Sequence, residues 1–399
     1  MLIKPVIKGV VARSAHPFGC RAAIKQQIEF VKSAKTINTR PKRVLIIGAS
    51  SGFGLASRIA LTFGGANADT IGVSFEKGPS ESNTGSAGWY NNIFFKQEAE
   101  KAGRTAINII GDAFATETRT KVIEAIETYF EGEVDLIVYS LAAGFRPKPD
   151  SDDFWQSAIK PVNKEVSGAT VLLDTDSWVE SHIEPATEQE LRSTVKVMGG
   201  EDWENWIDTL INADSIAANC KTVAFSYIGP EATNAIYLDG TLGHAKVDLH
   251  QTSHALNLKL AQFGGGAYAS VCKALVTKAS VFIPAFTPYI LALFKVMKEQ
   301  GTHEGCIEQM QRLFRDRIYC DGVTPVDAER LIRIDEFELD PKVQQRVKAL
   351  MAEMNQDNFK QVGDYQGYKN DFLALNGFGL EGVDYQATVP FDVLKELQP

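Results

Sequence analysis

The sequence has no CxxC pair: its five cysteines, Cys20, Cys220, Cys272, Cys306 and Cys320, form an odd and scattered set. That spacing offers neither a zinc site nor a disulfide framework. It fits a reducing compartment, so the cytoplasm is the expected location. Long apolar runs are missing as well. The best candidate, Ala279 to Val296, is interrupted by Pro284 and Pro288, and the opening stretch MLIKPVIKGVVARSAHPFGC lacks the unbroken apolar core of a signal peptide. No membrane association is expected. Excess positive charge is also absent, since 41 Lys and Arg stand against 50 Asp and Glu, a net charge of −9. A general polyanion binder, such as a nucleic-acid protein, is therefore disfavoured. Among the six histidines only His250 and His254 stand at helical i, i+4 spacing, and without an HExxH context no metal site is expected.

What is present is an α/β rhythm. The 399 residues, 44% hydrophobic and 23% charged, can bury a sizeable core. From Arg43 onward β-branched runs (RVLIIGAS, TIGVSF, TAINIIGD, VDLIVYS) alternate with helical patterns around Leu55–Phe63, Asn91–Ala102 and Thr116–Phe130. Nearly continuous apolar strands separated by helices predict a Rossmann-type, doubly wound parallel sheet with helices on both faces. The rhythm breaks between about Gly144 and Asn219, which predicts an insertion (about 145–200) and then a helix near Asp202–Ala217. KTVAFSYIG predicts a fifth strand, Ala245–Phe263 a long helix and GGAYASVCKAL a sixth strand. Residues beyond Val276 predict mostly helix. The expected arrangement is one domain over 1–399, with an N-terminal extension (1–42), the insertion and a helical C-terminal region (about 276–399).

Chemistry concentrates first in GASSGFG, Gly48 to Gly54, which follows a buried strand and opens a helix. Glycines at these places permit a tight turn and close approach of a pyrophosphate, and the helix N-terminus offers free N–H groups with a partial positive charge. Ser50 and Ser51 add hydroxyls. The next strand ends in SFEKG, where the Glu76 carboxylate suits ribose hydroxyls and repels a 2′-phosphate. That pattern favours NADH, although Lys77 beside it would suit a phosphate. Asp112 with Ala113, and Ser140 with Leu141 and Ala142, close the following strands, where parallel sheets bind ligands. Farther on, SYIGPEATNAIYLDGTLGHAK brings Tyr227, Tyr237 and Lys246 together in sequence. A lysine near a tyrosine lowers the phenol pKa and holds a ribose, but a core tyrosine and a surface lysine would read the same way. Tyr237 and Lys246 lie nine positions apart, on opposite faces of any continuous helix. The glycines of LDGTLG therefore predict Tyr237 on a loop before a helix that carries Lys246.

With IKPVIKGVVARSAHPFGC, GASSGFG, SFEKG, the Tyr237–Lys246 pair and VTKAS in place, the chain resembles, end to end, the bacterial FabV-type trans-2-enoyl reductases of the extended short-chain dehydrogenase superfamily. The spacer of eight residues between Tyr237 and Lys246 is the most discriminating feature. The resemblance implies NADH-dependent reduction of enoyl-CoA or enoyl-acyl-carrier-protein thioesters, with acyl carrier protein as a transient partner and a monomeric enzyme. It implies that Gly48, Ala49, Ser50, Ser51, Gly52, Phe53, Phe75, Glu76, Asp112, Ala113, Leu141, Ala142, Lys246, Leu275, Val276 and Thr277 contact NADH. Tyr237 and Lys246 would be catalytic, and Tyr227 would touch substrate. Val276–Val296 is then expected to cover the acyl chain. Lys278, Lys295, Lys298, Arg312, Arg315 and Arg317 become candidates for the phosphates of CoA or of the carrier arm, or simply a solvated helix face.

Overall fold

The computed structural model describes residues 1–38 and 40–399. Seven parallel strands form the central sheet: β1 (Arg43–Ile47), β2 (Asp69–Ser74), β3 (Ala106–Ile110), β4 (Val134–Tyr139), β5 (Ile216–Ser226), β6 (Gly266–Val271) and β7 (Leu331–Arg333). Their spatial order is 7-6-5-4-1-2-3, so the direction of winding reverses between β1 and β4. That reversal opens a crevice at the carboxyl ends of the strands, where open α/β sheets receive ligands.

Alternation along β1 explains why both faces are covered. Val44 and Ile46 enter one apolar cluster with Ile24, Leu55, Ile59 and Phe95. Leu45 and Ile47 enter another with Val122, Ile126, Trp203 and Leu256. The helix Glu201–Asn212 places Trp203, Trp206, Ile207 and Leu210 on one buried stripe. Burying each such large side chain stabilises the fold by about 1.5–3 kcal/mol, so this helix is a principal clamp on its face of the sheet. Within the N-terminal region, the helix Pro17–Ser33 buries Ile24, Ile28 and Val31 in the first cluster, capped by His16, whose ring accepts from the Gly19 N–H.

Two regions hold detail beyond the expectation. The C-terminal region is mostly helical, as expected, and also supplies β7, a three-residue edge strand that pairs with β6. The break after β4 contains two antiparallel ribbons, Phe145–Pro147 with Phe154–Gln156 and Val166–Leu172 with Ser177–Ile183, and a helix Glu188–Met198 started by a Thr187/Glu190 capping box. A third cluster gathers Tyr237, Val276, Ile283, Phe286 and the helix Thr287–Glu299 with Val343, Val347 and Phe372. Pro288 sits in the first turn of that helix, where its missing N–H costs nothing, and Ser280–Phe282 forms a short 3-10 turn before it. No helix among the described residues is long and apolar enough to cross a membrane.

Candidate active site

The turn after β1 is built as its spacing suggested. Gly48 and Gly52 adopt φ of +87° and +54°, the left-handed region that favours glycine. A side chain on Gly54 would overlap the Gly48 carbonyl oxygen, and one on Gly48 would overlap that of Ser140, so the GxxxGxG pattern lets the helix pack tightly on β1 and β4. The helix Gly52–Phe63 begins without a side-chain cap. Its first N–H groups therefore remain available to an anion. Thr277 roofs this opening, its methyl 3.9 Å from where a Gly52 Cβ would stand. An uncapped helix end with a close roof suits the pyrophosphate of a dinucleotide.

At the end of β2, Glu76 accepts hydrogen bonds from Ser50 on one oxygen and Ser86 on the other. The carboxylate is thus pre-oriented, with remaining lone pairs for diol hydroxyls. Phe75, exposed beside it, lines with Glu76 an outer cavity of about 620 Å³. Asp112 and Ala113 follow β3, where the Asp112 carboxylate accepts from the Phe114 N–H at 3.0 Å. Neither lines either of the two cavities.

An inner cavity of about 190 Å³ brings the distant candidates together: Phe53, Leu141, Ala142, Tyr227, Tyr237, Lys246, Leu275 and Thr277 all line it. Val276 is buried with Tyr237 in the third cluster. Lys246 stands on the helix Thr241–Ala261, and Tyr237 precedes that helix on a loop whose main chain folds back to accept from the Gly243 N–H at 2.9 Å. The Lys246 ammonium donates to the Phe225 carbonyl at 3.0 Å, and burial lowers its pKa to about 8. The expected lowering of the tyrosine pKa is overturned. Burial pushes the Tyr237 phenol upward, and no hydrogen bond to its hydroxyl is made among the described residues. Desolvation dominates for this buried side chain, so the phenol stays neutral near pH 7. The Tyr227 ring meets the Tyr237 ring edge-on, centroids 4.7 Å apart, while its hydroxyl donates to buried Glu338 at 2.8 Å.

The cationic docking face dissolves. Arg312 is engaged by Glu304 at 2.7 Å and Glu336 at 2.6 Å, Arg317 by Glu336 at 2.9 Å, Lys298 by Asp364 at 2.6 Å, and Lys295 by Glu299 at 3.9 Å. Arg315 pairs with Asp316. Of the six, only Lys278 lines the outer cavity, and it makes no ion pair among the described residues. His250 and His254 are likewise engaged, His250 with the Ser226 hydroxyl at 2.7 Å and His254 with the Glu329 carbonyl at 3.0 Å.

Sequence reasoning missed several walls of the inner cavity. Ile159 and Met198 come from the insertion, and Cys272, Lys273 and Ala274 from the loop after β6, whereas Ile283 and Phe286 fall within the Val276–Val296 stretch expected to cover the acyl chain. The insertion is anchored to the start of the Lys246 helix through Thr241, whose N–H donates to the Lys160 carbonyl at 2.9 Å. No local pattern marks these residues, because apolar side chains look alike whether they face a core or a cavity.

Three family models match in succession: an NAD(P)H-binding domain of trans-2-enoyl-CoA reductase over residues 2–81, a trans-2-enoyl-CoA reductase catalytic region over 83–319, and an enoyl reductase FAD-binding domain over 326–389. The chain belongs to the trans-2-enoyl-CoA reductase family. Among curated relatives of this family, an enoyl-acyl-carrier-protein reductase (NADH) 2 of Vibrio parahaemolyticus is 69% identical, with 100% of each chain covered. A trans-2-enoyl-CoA reductase (NADH) of Clostridium beijerinckii is 47% identical, again over 100% of each. Among solved structures, trans-2-enoyl-CoA reductase of Clostridium acetobutulicum in complex with NADH superposes with a TM-score of 0.97 at 44% identity and full coverage of both chains. The enzyme of Treponema denticola in complex with NAD gives 0.91 at 46% identity, covering 98% of each.

The flavin in the description of the third family segment does not fit the residues found there. Residues 326–389 offer no glycine turn between a strand and a helix. Their buried side chains, Val343, Val347, Phe359 and Tyr365 among them, are spent packing on the helix Thr287–Glu299. To the outer cavity the segment contributes only Phe372, Leu375 and Asn376, and to the inner cavity nothing. Gly377, with φ of +75°, serves close packing against His16 and Cys20.

Proposed function

We propose that this protein reduces the trans-2 double bond of enoyl thioesters, enoyl-CoA or enoyl-acyl-carrier-protein, to saturated acyl thioesters with NADH, the final reductive step of fatty acid elongation. One observation carries the chemistry: a neutral phenol and an ammonium, Tyr237 and Lys246, share a small apolar cavity that also reaches Phe53 on the uncapped helix. Gly48 to Phe53, Phe75, Glu76, Asp112, Ala113, Leu141, Ala142, Lys246 and Leu275 to Thr277 are the residues proposed to hold NADH. When bound, NADH supplies a hydride to the β-carbon of the substrate. Negative charge then develops on the thioester oxygen as an enolate, where Tyr237 donates a hydrogen bond and Lys246 supplies a countercharge; a proton delivered to the α-carbon collapses the enolate to the saturated acyl thioester. Because the Tyr237 side chain is buried, its fixed donor acts more strongly than it would in solvent. Leu242, Ile283 and Phe286 offer the acyl chain an apolar wall, and the ring of Tyr227 completes it.

Beyond the cavity, the arm of the thioester is proposed to pass the outer cavity, where Lys278 meets its phosphate. Acyl carrier protein would be a transient partner, and a cytoplasmic monomer, folded as one Rossmann-type domain with its insertion and C-terminal cover, is the proposed working form. The decisive experiment follows NADH absorbance with crotonyl-CoA, with a simple ketone and with no substrate. Oxidation with crotonyl-CoA alone is the expected result. Oxidation only with the ketone would make the protein a carbonyl dehydrogenase, and binding without oxidation a sensor.

A further inference from the structure

Behind the inner cavity lies the side chain of Glu338, wholly buried, on the segment that follows β7. Three elements converge on its carboxylate. Its Oε1 accepts from the Tyr227 hydroxyl at 2.8 Å and from the Tyr289 hydroxyl at 2.6 Å, and its Oε2 accepts from the Ala274 N–H at 2.7 Å. Tyr227 follows β5, Tyr289 stands on the helix Thr287–Glu299, and Ala274 lies on the loop after β6 that runs through Thr277 over the glycine turn. The main chain at Glu338 is secured too. Gln344 donates to its carbonyl at 2.6 Å and to the Tyr289 hydroxyl at 3.2 Å.

A carboxyl group in a protein interior is retained at a cost of several kcal/mol unless its acceptor sites are filled, so an arrangement this complete points to a task. Both phenols and the amide fill those sites here; burial pushes the Glu338 pKa upward, and the Tyr289 hydrogen bond and the buried Lys273 ammonium oppose that shift only in part. The task follows from what Tyr227 touches. Its ring stands at 89° to the ring of Tyr237, so a displaced Tyr227 would leave Tyr237 free to tilt. We propose that Glu338 is a positioning residue for the reduction: it holds the Tyr227 hydroxyl, and thereby fixes the ring against which the hydrogen-bond donor Tyr237 is aligned. This rests on the enoyl-thioester reading, and it gives the C-terminal segment a part in the reaction that needs no flavin.

Glu338→Gln preserves shape but replaces one acceptor oxygen by an amide that cannot accept. A misplacement of about 1 Å costs about 10²-fold in rate, so kcat for crotonyl-CoA is expected to fall by that order. NADH affinity, read by the fluorescence of bound NADH, is measured in the same variant because the Ala274 contact leads into the Leu275–Thr277 loop; a loss of NADH affinity with kcat intact overturns the proposal. In a Tyr227→Phe background the same substitution should cost no more than about threefold further, since the hydroxyl through which Glu338 acts is already gone. A merely structural role would lower the melting temperature and leave kcat per folded molecule intact. Unchanged kcat in folded Glu338→Gln, or an equal loss in both backgrounds, overturns the proposal. If that variant is insoluble, Glu338→Asp, which keeps the charge but withdraws both oxygens by a methylene, is read by the same two criteria. Wild-type turnover of crotonyl-CoA is measured alongside. Its absence overturns the enoyl-thioester reading and this proposal together, whereas normal wild-type turnover without coupling to Tyr227 overturns the role of Glu338 alone.

Discussion

Replacing Lys246 by methionine removes a titrating group whose effects on stability and on rate run in opposite directions. The ammonium is held beside the inner cavity with the Phe225 carbonyl as its hydrogen-bond partner, and burial lowers its pKa from 10.5 to about 8. In the unfolded chain the lysine stays protonated up to about pH 10.5. Between pH 8 and that value the unfolded state binds more protons, so stability rises with pH as the cost of a buried charge is relieved. The lowered pKa thus makes the folded state more stable at high pH, by on the order of 2 kcal/mol. Denaturant unfolding of the apoprotein at pH 7 and pH 10 reads this directly: wild type should gain about 2 kcal/mol relative to Lys246→Met. Over part of the same interval the reaction loses its cation. With a pKa of about 8 the protonated fraction falls about tenfold between pH 7 and pH 9, and kcat/KM for crotonyl-CoA should fall with it. A stability difference that is flat with pH, or a rate that holds to pH 9, refutes the idea of a charged, buried lysine.

Tyr237→Phe should lower kcat by about 10²–10⁴-fold while leaving NADH affinity nearly unchanged, as steady-state kinetics and fluorescence titration would show. Full activity removes Tyr237 from its role. Gly54→Ala forces a side chain onto the Gly48 carbonyl oxygen, so NADH binding should be lost or the fold weakened by about 1–3 kcal/mol, read by titration and thermal melting. A variant that binds and melts like wild type contradicts the close approach. Lys278→Glu should raise KM for crotonyl-CoA about tenfold and spare the same acyl group on a phosphate-free thiol carrier. Arg312→Glu, by contrast, should destabilise the fold through Glu304 and Glu336 before it alters KM. Equal KM changes in the Lys278 and Arg312 variants would return docking to the helix face.

Much of the fold was readable because its signals are local. A strand such as β1 is apolar from Val44 to Ile47, since helices cover both faces of the sheet, and the turn from Gly48 to Gly54 is marked by its glycines. β7 was not readable. Leu331–Arg333 is too short to show a period, and it becomes a strand only because the edge of β6 is available to pair with it. The ribbons of the insertion depend in the same way on partners that the chain brings alongside.

The sequence by itself determined the class of sheet, the glycine turn after its first strand and the placement of Tyr237 on a loop ahead of the Lys246 helix, because backbone conformation and helical geometry act over a few residues. Only the tertiary structure decided the state of those groups. The pKa values of Tyr237 and Lys246 are set by how completely the surrounding elements remove water, which no spacing of residues records. The basic residues near Arg312 proved to be internal clamps because their partners Glu304 and Glu336 fold back onto them. Glu338, one carboxylate in an acidic stretch of sequence, became the post behind Tyr227 for the same reason: burial and long-range hydrogen bonds exist only once the chain has closed on itself.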